Sequence, residues 1–508
     1  MSPSGRIHLV GAGPGDPGLM TARALELVAE ADVIYYDRLI PSSALAGARP
    51  GAELVYVGKR PGVVTMAQEQ IIERMIESAR QGLSVVRLKG GDPYIFGRGA
   101  EEAEAAVTAG IAYEVVPGIT AGIAATAYAG IPVTHRKDAS AVAFVTGHED
   151  PDKPETAIDW PALAAFPGTL VFYMGVRRLP AISAALIESG RSPDEPAATV
   201  EQGTTSRQRA VVATLDTIAD RAAEAGVKAP ALIVVGAVAR HRDRLAWFED
   251  RPLHGQTVVV TRARTQAGEL AGRLRALGAE VVELPTIRIE PLIDTDPVRA
   301  AATDLAEGRY GLLCVTSPNG ADLLFDALGA AGLDARALAG TTVAAVGSGT
   351  AEAVANRGVT ADVVPERAVA EGLLEALGAF GSLEIEGSRV LLAQAEGARP
   401  VLADGLQERG AEVDVAPLYR TVSLPPDRVA LEAAEAANWI TFTSGSTVAG
   451  LLKAMPEGPP VGTRLISIGP ITSNAIREAG LEVTREADPH DLDGLVAALL
   501  DAVAGERA

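Results

Sequence analysis

The turn Gly11-Ala-Gly-Pro-Gly-Asp-Pro-Gly follows a short apolar run and precedes a stretch rich in Ala and Leu. A strand-to-helix turn so poor in side chains lets a ligand approach the main chain closely. One reading is a nicotinamide dinucleotide site, because Asp37 ends the next strand-like run, 33–36, where a ribose-binding acid would stand. Against it, Asp16 occupies the place of the third glycine, and Pro14 removes an amide that would face a pyrophosphate. A plain structural turn is the other reading. A second element is more specific. Val85-Val-Arg-Leu-Lys-Gly-Gly-Asp-Pro-Tyr-Ile-Phe-Gly-Arg-Gly-Ala-Glu-Glu sets a strand, a glycine–acid turn, and then Arg98 and Glu101 at helical i,i+3 spacing. Those two are either site residues or an ordinary surface pair, since exposed ion pairs are common and weak. Val115-Val-Pro-Gly-Ile-Thr-Ala-Gly and Gly130-Ile-Pro-Val-Thr-His-Arg follow in order.

The elements that must hold these turns read as α/β units. From Arg6 to about Ala239, Val/Ile-rich runs such as 84–88, 141–146, 169–174 and 231–235 alternate with Ala/Glu/Arg-rich helical stretches, which predicts mostly parallel sheets. The charged stretch 239–255 has neither helical nor strand period and reads as the edge of one unit running into a linker. We therefore place the boundary between domains 1–250 and 251–508.

The remainder carries an internal repeat. Thr257-Val-Val-Val-Thr-Arg and Leu277-Gly-Ala-Glu-Val-Val-Glu-Leu-Pro resemble Arg389-Val-Leu-Leu-Ala and Arg409-Gly-Ala-Glu-Val-Asp-Val-Ala-Pro. Cys314-Val-Thr-Ser-Pro-Asn-Gly and Val343-Ala-Ala-Val-Gly-Ser-Gly recur as Thr441-Phe-Thr-Ser-Gly-Ser-Thr and Leu465-Ile-Ser-Ile-Gly-Pro-Ile. Two similar α/β lobes should face each other across a cleft, with Pro285-Thr-Ile-Arg-Ile and Pro417-Leu-Tyr-Arg-Thr as the crossovers between them.

Composition bounds the chemistry. The 508 residues, 48% of them hydrophobic, suit two or more globular domains. No apolar run reaches the roughly 20 residues that cross a bilayer, and no secretory leader is visible, so a soluble cytoplasmic protein without membrane association is expected. Cys314 is the only cysteine, which excludes an internal disulfide framework and a thiolate cluster, and six histidines leave little for a metal site. A net charge of −20 argues against nucleic acid as a partner.

Taken in order, the N-terminal motifs, with Tyr36-Asp-Arg-Leu, Val57-Gly-Lys, Thr146-Gly-His, Tyr173-Met-Gly and Glu201-Gln-Gly-Thr, closely resemble the uroporphyrinogen-III C-methyltransferases of the tetrapyrrole methylase family from about Ile7 to Val238. The resemblance implies the two-lobed fold of that family and a site in which Pro14, Gly90, Gly91, Asp92, Ile95, Thr120, Ala121, Met174 and Gly203 surround S-adenosylmethionine. It also implies that Arg38, Arg98 and Arg136 meet the carboxylates of a tetrapyrrole, which guanidinium groups grip as a fork; a basic pocket would then sit on an acidic body. By the same resemblance Asp37 accepts a proton and Lys59 donates one, with Arg98, Glu101 and His148 able to share that work. Asp37 as a turn cap, Lys59 as a solvated amine, His148 as a structural histidine and Met174 as core filler remain the alternatives. Two methyl transfers to uroporphyrinogen III would give precorrin-2, on the way to sirohaem or cobalamin. A dinucleotide-binding unit for the later oxidation is not expected ahead of Ile7. Members of this family are usually homodimers, and the same is expected here.

From Thr257 to about Leu500, the landmarks Val260-Thr-Arg, Val315-Thr-Ser-Pro-Asn-Gly, Pro417-Leu-Tyr-Arg and Ile468-Gly-Pro-Ile-Thr resemble uroporphyrinogen-III synthase. That implies two flavodoxin-like lobes joined by crossover strands, which cyclise hydroxymethylbilane with inversion of its last ring and no cofactor. Tyr419 aligns with the tyrosine proposed to protonate the leaving hydroxyl, while Thr316, Ser317, Thr443, Ser444 and Thr472 offer hydroxyls and turn amides to carboxylates. The structural reading of the tyrosine is the stronger one, the hydroxyls could equally cap helices, and the whole half could be a tetrapyrrole-binding or regulatory module. Another ring specificity for the methylase is the alternative for the first half.

Overall fold

A computed structural model describes residues 5–40, 42–45, 47–58, 66–147, 158–262, 264–381, 384–425 and 428–507. The chain divides into two compact units, residues 1–255 and 256–508. Among the described residues, no helix is long and apolar enough to cross a membrane.

The first unit opens with β1 (Arg6–Gly11), β2 (Val33–Tyr36), β3 (Glu53–Tyr56), β4 (Ser84–Lys89) and β5 (Ala112–Val116). They form an all-parallel sheet in the order β3-β2-β4-β1-β5. The central strands β1, β2 and β4 are buried along nearly their whole length, as a parallel sheet covered by helices requires. Ile7, Leu9, Val33 and Val85 pack with Ile71 and Met75 on one side. Val10, Ile34, Val86 and Leu88 pack with Leu27 and Val28 on the other. The helix Ala22–Glu30 starts at Thr21, whose hydroxyl accepts from the Ala24 N–H. The loops that leave the carboxyl ends of β1 and β4 carry the two glycine turns.

The second lobe corrects the expectation of a mostly parallel sheet. Its strands β6 (Val142–Thr146), β7 (Thr169–Tyr173), β8 (Pro196–Glu201), β9 (Arg209–Thr214) and β10 (Ala231–Val235) lie in the order β6-β7-β10-β8-β9. Only β6 and β7 are parallel; the other three neighbouring pairs are antiparallel. A connection as short as that between β8 and β9 cannot carry the crossover that parallel pairing needs. The stretch 239–255 is not a slack linker either. It forms short helical turns at Ala237–His241 and Arg242–Leu245, and Phe248 and Leu253 are buried. Arg242 donates to the Ala129 carbonyl at 2.7 Å and pairs with Glu249, so its charges serve local contacts.

In the second unit, β11 (Thr257–Val260), β12 (Glu280–Glu283), β13 (Ile287–Pro291), β14 (Leu312–Val315), β15 (Thr342–Ala345), β16 (Arg389–Ala395), β17 (Glu412–Ser423), β18 (Trp439–Phe442), β19 (Arg464–Ser467) and β20 (Arg485–Glu486) make two sheets. One is β12-β11-β18-β19-β20 and entirely parallel. Counted along the chain, that is the flavodoxin-like order 2-1-3-4-5. The other, β13-β17-β16-β14-β15, repeats the order with its chain entry moved: β14 and β15 precede β16 and β17, and a parallel bridge from Ala344 to Val363 takes the fifth place. The first sheet is therefore split around an inserted lobe, residues 286–423. The chain enters and leaves that lobe on β13 and the end of β17, which pair antiparallel from Ile287↔Ser423 to Pro291↔Tyr419. These are the crossovers foreseen at Pro285 and Pro417.

Candidate functional site

In the first unit, three glycines fix how closely the turns approach. A Cβ on Gly118 would lie 2.2 Å from the Gly91 carbonyl oxygen, and one on Gly11 would lie 2.5 Å from Gly118 Cα. Gly13 and Gly91 exchange backbone hydrogen bonds at 3.2 and 2.6 Å. Asp92 clamps this junction, because its carboxylate accepts from the Tyr94 N–H at 2.8 Å and the Gly118 N–H at 3.0 Å. Asp92 thus holds loop to loop, whatever else its remaining lone pairs bind.

The second lobe contributes two more turns. Gly203 packs so tightly on the helix Ala121–Tyr128 that a Cβ there would stand 2.1 Å from Ala125 Cβ. The Asp16 N–H donates to Thr204 Oγ1 at 3.1 Å, and Asp16 accepts from the Tyr128 hydroxyl at 2.9 Å. Tyr173 carries the other tie. Its hydroxyl accepts from the Gly122 N–H at 2.6 Å and bonds Thr120 Oγ1 at 2.7 Å, and burial pushes its pKa up. Its ring lies 5.0 Å from that of Phe96.

Backbone strain gathers in these turns. Phe96, Arg98, Met174, Gln202 and Thr204 have φ between +46° and +68°. No other described non-glycine residue has a positive φ, and each such residue costs of order 1 kcal/mol or more. Ile95 and Met174 stay 36% and 54% exposed, apolar side chains presented to solvent from constrained loops. Pro14, Gly90, Gly91, Asp92, Thr120 and Ala121 lie in the same set of touching turns. Lys59 and His148 lie outside the described residues.

Arg38, Arg98 and Arg136 are all exposed. Among the described residues only Arg98 is ion-paired, to Glu101 at 2.5 Å, which holds the Glu101 carboxyl below its usual range. Arg98 occupies the N-cap of the helix Gly99–Thr108 in a left-handed conformation, so the i,i+3 pair bridges a turn and a helix.

Sequence reasoning missed a buried charge cluster behind Asp37. Arg87 donates to Asp37 Oδ1 at 2.7 Å and to Glu102 Oε1 at 3.1 Å. Lys89 reaches the same Glu102 oxygen at 3.0 Å and Gln68 reaches it at 2.9 Å. Arg87, Lys89 and Glu102 are buried, and Glu102 Oε2 has no hydrogen-bond partner among the described residues. Burial, and then the neighbouring Arg87, pull the Lys89 pKa down. The available signal was Arg87 and Lys89 two apart on a strand that must be buried on both faces.

In the second unit, the repeat places matching caps. Ser317 precedes the helix Pro318–Ala330 and accepts from the Gly320 N–H at 3.0 Å; Ser444 precedes Gly445–Ala454 and accepts from the Thr447 N–H at 3.4 Å. Both serines are therefore helix caps. Thr316 leans on the Ala393 carbonyl, Thr443 is half-buried, and Thr472 is buried in the helix Pro470–Glu478. Tyr419 is 7% exposed and its hydroxyl bonds Ser317 Oγ at 2.9 Å, so the crossover tyrosine meets one of the predicted hydroxyls. Arg262, also unforeseen, follows β11 half-buried. Burial pushes its pKa down, and among the described residues it has no ion-pair partner, which suits an incoming anion. Cys314 is fully buried, and burial pushes its thiol up to about 12.

Comparison with known proteins matches residues 6–219 to the tetrapyrrole (corrin/porphyrin) methylases and residues 268–497 to uroporphyrinogen-III synthase HemD. The chain is 37% identical over 504 residues to a porphyrin biosynthesis protein HemD of Ruminiclostridium josui, covering 98% of both chains. An S-adenosyl-L-methionine-dependent uroporphyrinogen III methyltransferase of Methanosarcina barkeri is 52% identical over 242 residues, which are 47% of this chain and 94% of that one. Among solved structures, the uroporphyrin-III C-methyl transferase of Thermus thermophilus complexed with S-adenyl homocysteine is 43% identical. It covers 46% of this chain and 99% of its own, with a TM-score of 0.41.

Proposed function

Because the chain belongs to the family that joins a tetrapyrrole methylase to a uroporphyrinogen-III synthase HemD, we propose that it makes uroporphyrinogen III from hydroxymethylbilane and methylates it twice to precorrin-2. The end-to-end match to a relative of the same two-part length carries this reading.

The turns of the first unit fit S-adenosylmethionine. Gly90, Gly91 and the Thr120–Ala121 turn come together with little side-chain bulk between them, and Ile95 and Met174 offer exposed apolar walls that do not compete as nucleophiles. The bound donor supplies an electrophilic methyl group. The residues' task is alignment, which contributes more to such a transfer than acid–base chemistry does. The Gly118–Gly91 contact and the Tyr173 hydroxyl ties hold the turns in register, while Arg38, Arg98 and Arg136 present guanidinium groups to substrate carboxylates. Asp37, which Arg87 holds from behind, takes the proton that the methylated ring must lose.

In the second unit, Arg262 and the caps at Ser317 and Ser444 offer one cation and helix N-termini to a polyanion. Tyr419 gives its proton to the departing hydroxyl, with Ser317 fixing the phenol's direction. The buried, hydrogen-bonded state of Tyr419 also favours a second reading, in which the residue is structural and the half binds tetrapyrrole without turnover. Pairing of two copies through the methylase unit completes the proposal, and sizing by light scattering tests it.

The deciding experiment starts the whole chain from hydroxymethylbilane, with and without S-adenosylmethionine. The type III isomer without the donor and precorrin-2 with it are expected. Type I isomer alone would leave the second half a binding module, and absence of methyl transfer to supplied uroporphyrinogen III would remove the first assignment.

A further inference from the structure

His135, Asp138 and His241 meet at one point in the first unit, and we propose that they form a site for a divalent transition-metal ion of the zinc class. Asp138 Oδ2 lies 2.7 Å from His135 Nδ1 and 2.8 Å from His241 Nε2. All three donor atoms fall within 4.8 Å of one another. Ligand distances of about 2.1 Å put the donors of a tetrahedral ion roughly 3.4 Å apart, so a small outward movement admits the ion.

The side chains have room for that movement. They are 35%, 33% and 26% exposed, which also leaves a coordination position open to water. The backbone beneath them is fixed. His135 and Ala139 exchange N–H···O bonds at 2.9 Å in both directions, and the Asp138 N–H donates to the His135 carbonyl at 3.1 Å. His241 ends the turn Ala237–His241, whose Val238 and Ala239 are buried. The two rings lie 4.3 Å apart, with one nitrogen of each aimed at the same carboxylate oxygen. The Lys137 N–H also faces His135 Nδ1, at 3.4 Å, a long contact that a metal would displace.

Two imidazoles and one carboxylate suit zinc, cobalt, nickel or copper(II), whereas magnesium and calcium take oxygen donors. The other described histidines are engaged differently: His8 with Glu114, His254 with the Gln208 carbonyl, His490 with the Ala487 carbonyl. A bound ion would tie the turn that presents Arg136 to the segment after β10.

The test reads metal binding rather than turnover. The full chain is stripped with a chelator and titrated with zinc chloride by calorimetry, and metal content after dialysis is measured by atomic emission. About one zinc per chain is expected, with at least about tenfold weaker binding in His241→Ala and in the isosteric Asp138→Asn. Zinc should raise the unfolding temperature of the wild type and of neither variant. Should His241→Ala fail to fold, Asp138→Asn and His135→Gln decide. Absence of zinc binding by the wild type, or equal affinity in correctly folded variants, overturns the site. Equally tight magnesium binding overturns the metal class.

Discussion

Arg87 stands between two carboxylates, joining Asp37 at the mouth of the first unit's site to Glu102 in its interior. Removing one member of a buried ion pair leaves the other charge uncompensated, which typically costs about 3–5 kcal/mol. Arg87→Met should therefore destabilise the first unit by about that amount. Urea unfolding followed by circular dichroism measures it; a loss below about 1 kcal/mol would mean that Lys89 and Gln68 suffice to hold Glu102.

Tyr173→Phe removes the acceptor of the Gly122 N–H and the partner of Thr120 while leaving the ring against Phe96. Stranding a buried donor costs about 1–3 kcal/mol. Binding of S-adenosylhomocysteine, measured by calorimetry, should weaken together with stability. Unchanged affinity would show that this tie does not position the turns.

Two glycines should answer alanine in opposite senses. Gly203→Ala drives a methyl to within 2.1 Å of Ala125 Cβ and should cost about 1–3 kcal/mol by overpacking. Gly329, exposed in the helix Pro318–Ala330 with nothing near its Cβ position, should gain about 0.5–1 kcal/mol as alanine. Thermal unfolding of both variants checks the contrast.

His8 is buried on β1 beside Glu114, and burial outweighs that carboxylate, so its pKa falls below the ordinary 6.5. Below pH 6.5 the unfolded chain takes up a proton that the folded chain still refuses. The His8 contribution to stability is thus complete above that pH and is lost as pH falls through the window beneath it. His8→Gln should flatten the stability profile between pH 7 and about 5, and an unaltered slope would refute this.

Tyr419→Phe should lower synthase turnover from hydroxymethylbilane by at least about 100-fold if the phenol is the acid. Ser317→Ala should cost about 1 kcal/mol as a lost helix cap and also reduce turnover. Normal turnover in Tyr419→Phe assigns the Ser317 bond a purely structural part.

Much of this architecture could be read from residues. The repeated blocks at Thr257 and Arg389 located equivalent strands, and the prolines at 285 and 417 located the crossovers, because short-range pattern encodes strand and turn directly. Pairing direction in the second lobe was not legible, since buried strands such as β8 and β10 read alike whichever way a neighbour runs. Asp37 could be singled out at the end of its strand, but the cluster behind it could not: Arg87 reaches Asp37 from β4 and also holds Glu102 of the helix Gly99–Thr108, and only the closed fold sets those distances. The 239–255 stretch misled because its charges resemble a linker's, while Phe248 and Leu253 bury the apolar anchors between them.

The split sheet of the second unit bears on how the chain is made. Thr257 on β11 bonds Asn438, 181 positions later, so β11 and β12 leave the ribosome long before β18 exists to complete their sheet. The inserted segment 286–423 holds every strand of its own sheet and can close first. Vectorial synthesis thus lets the inserted lobe close before the sheet whose first two strands precede it in the chain. During that interval the waiting pair of apolar strands is the part of the nascent protein most exposed to mispairing.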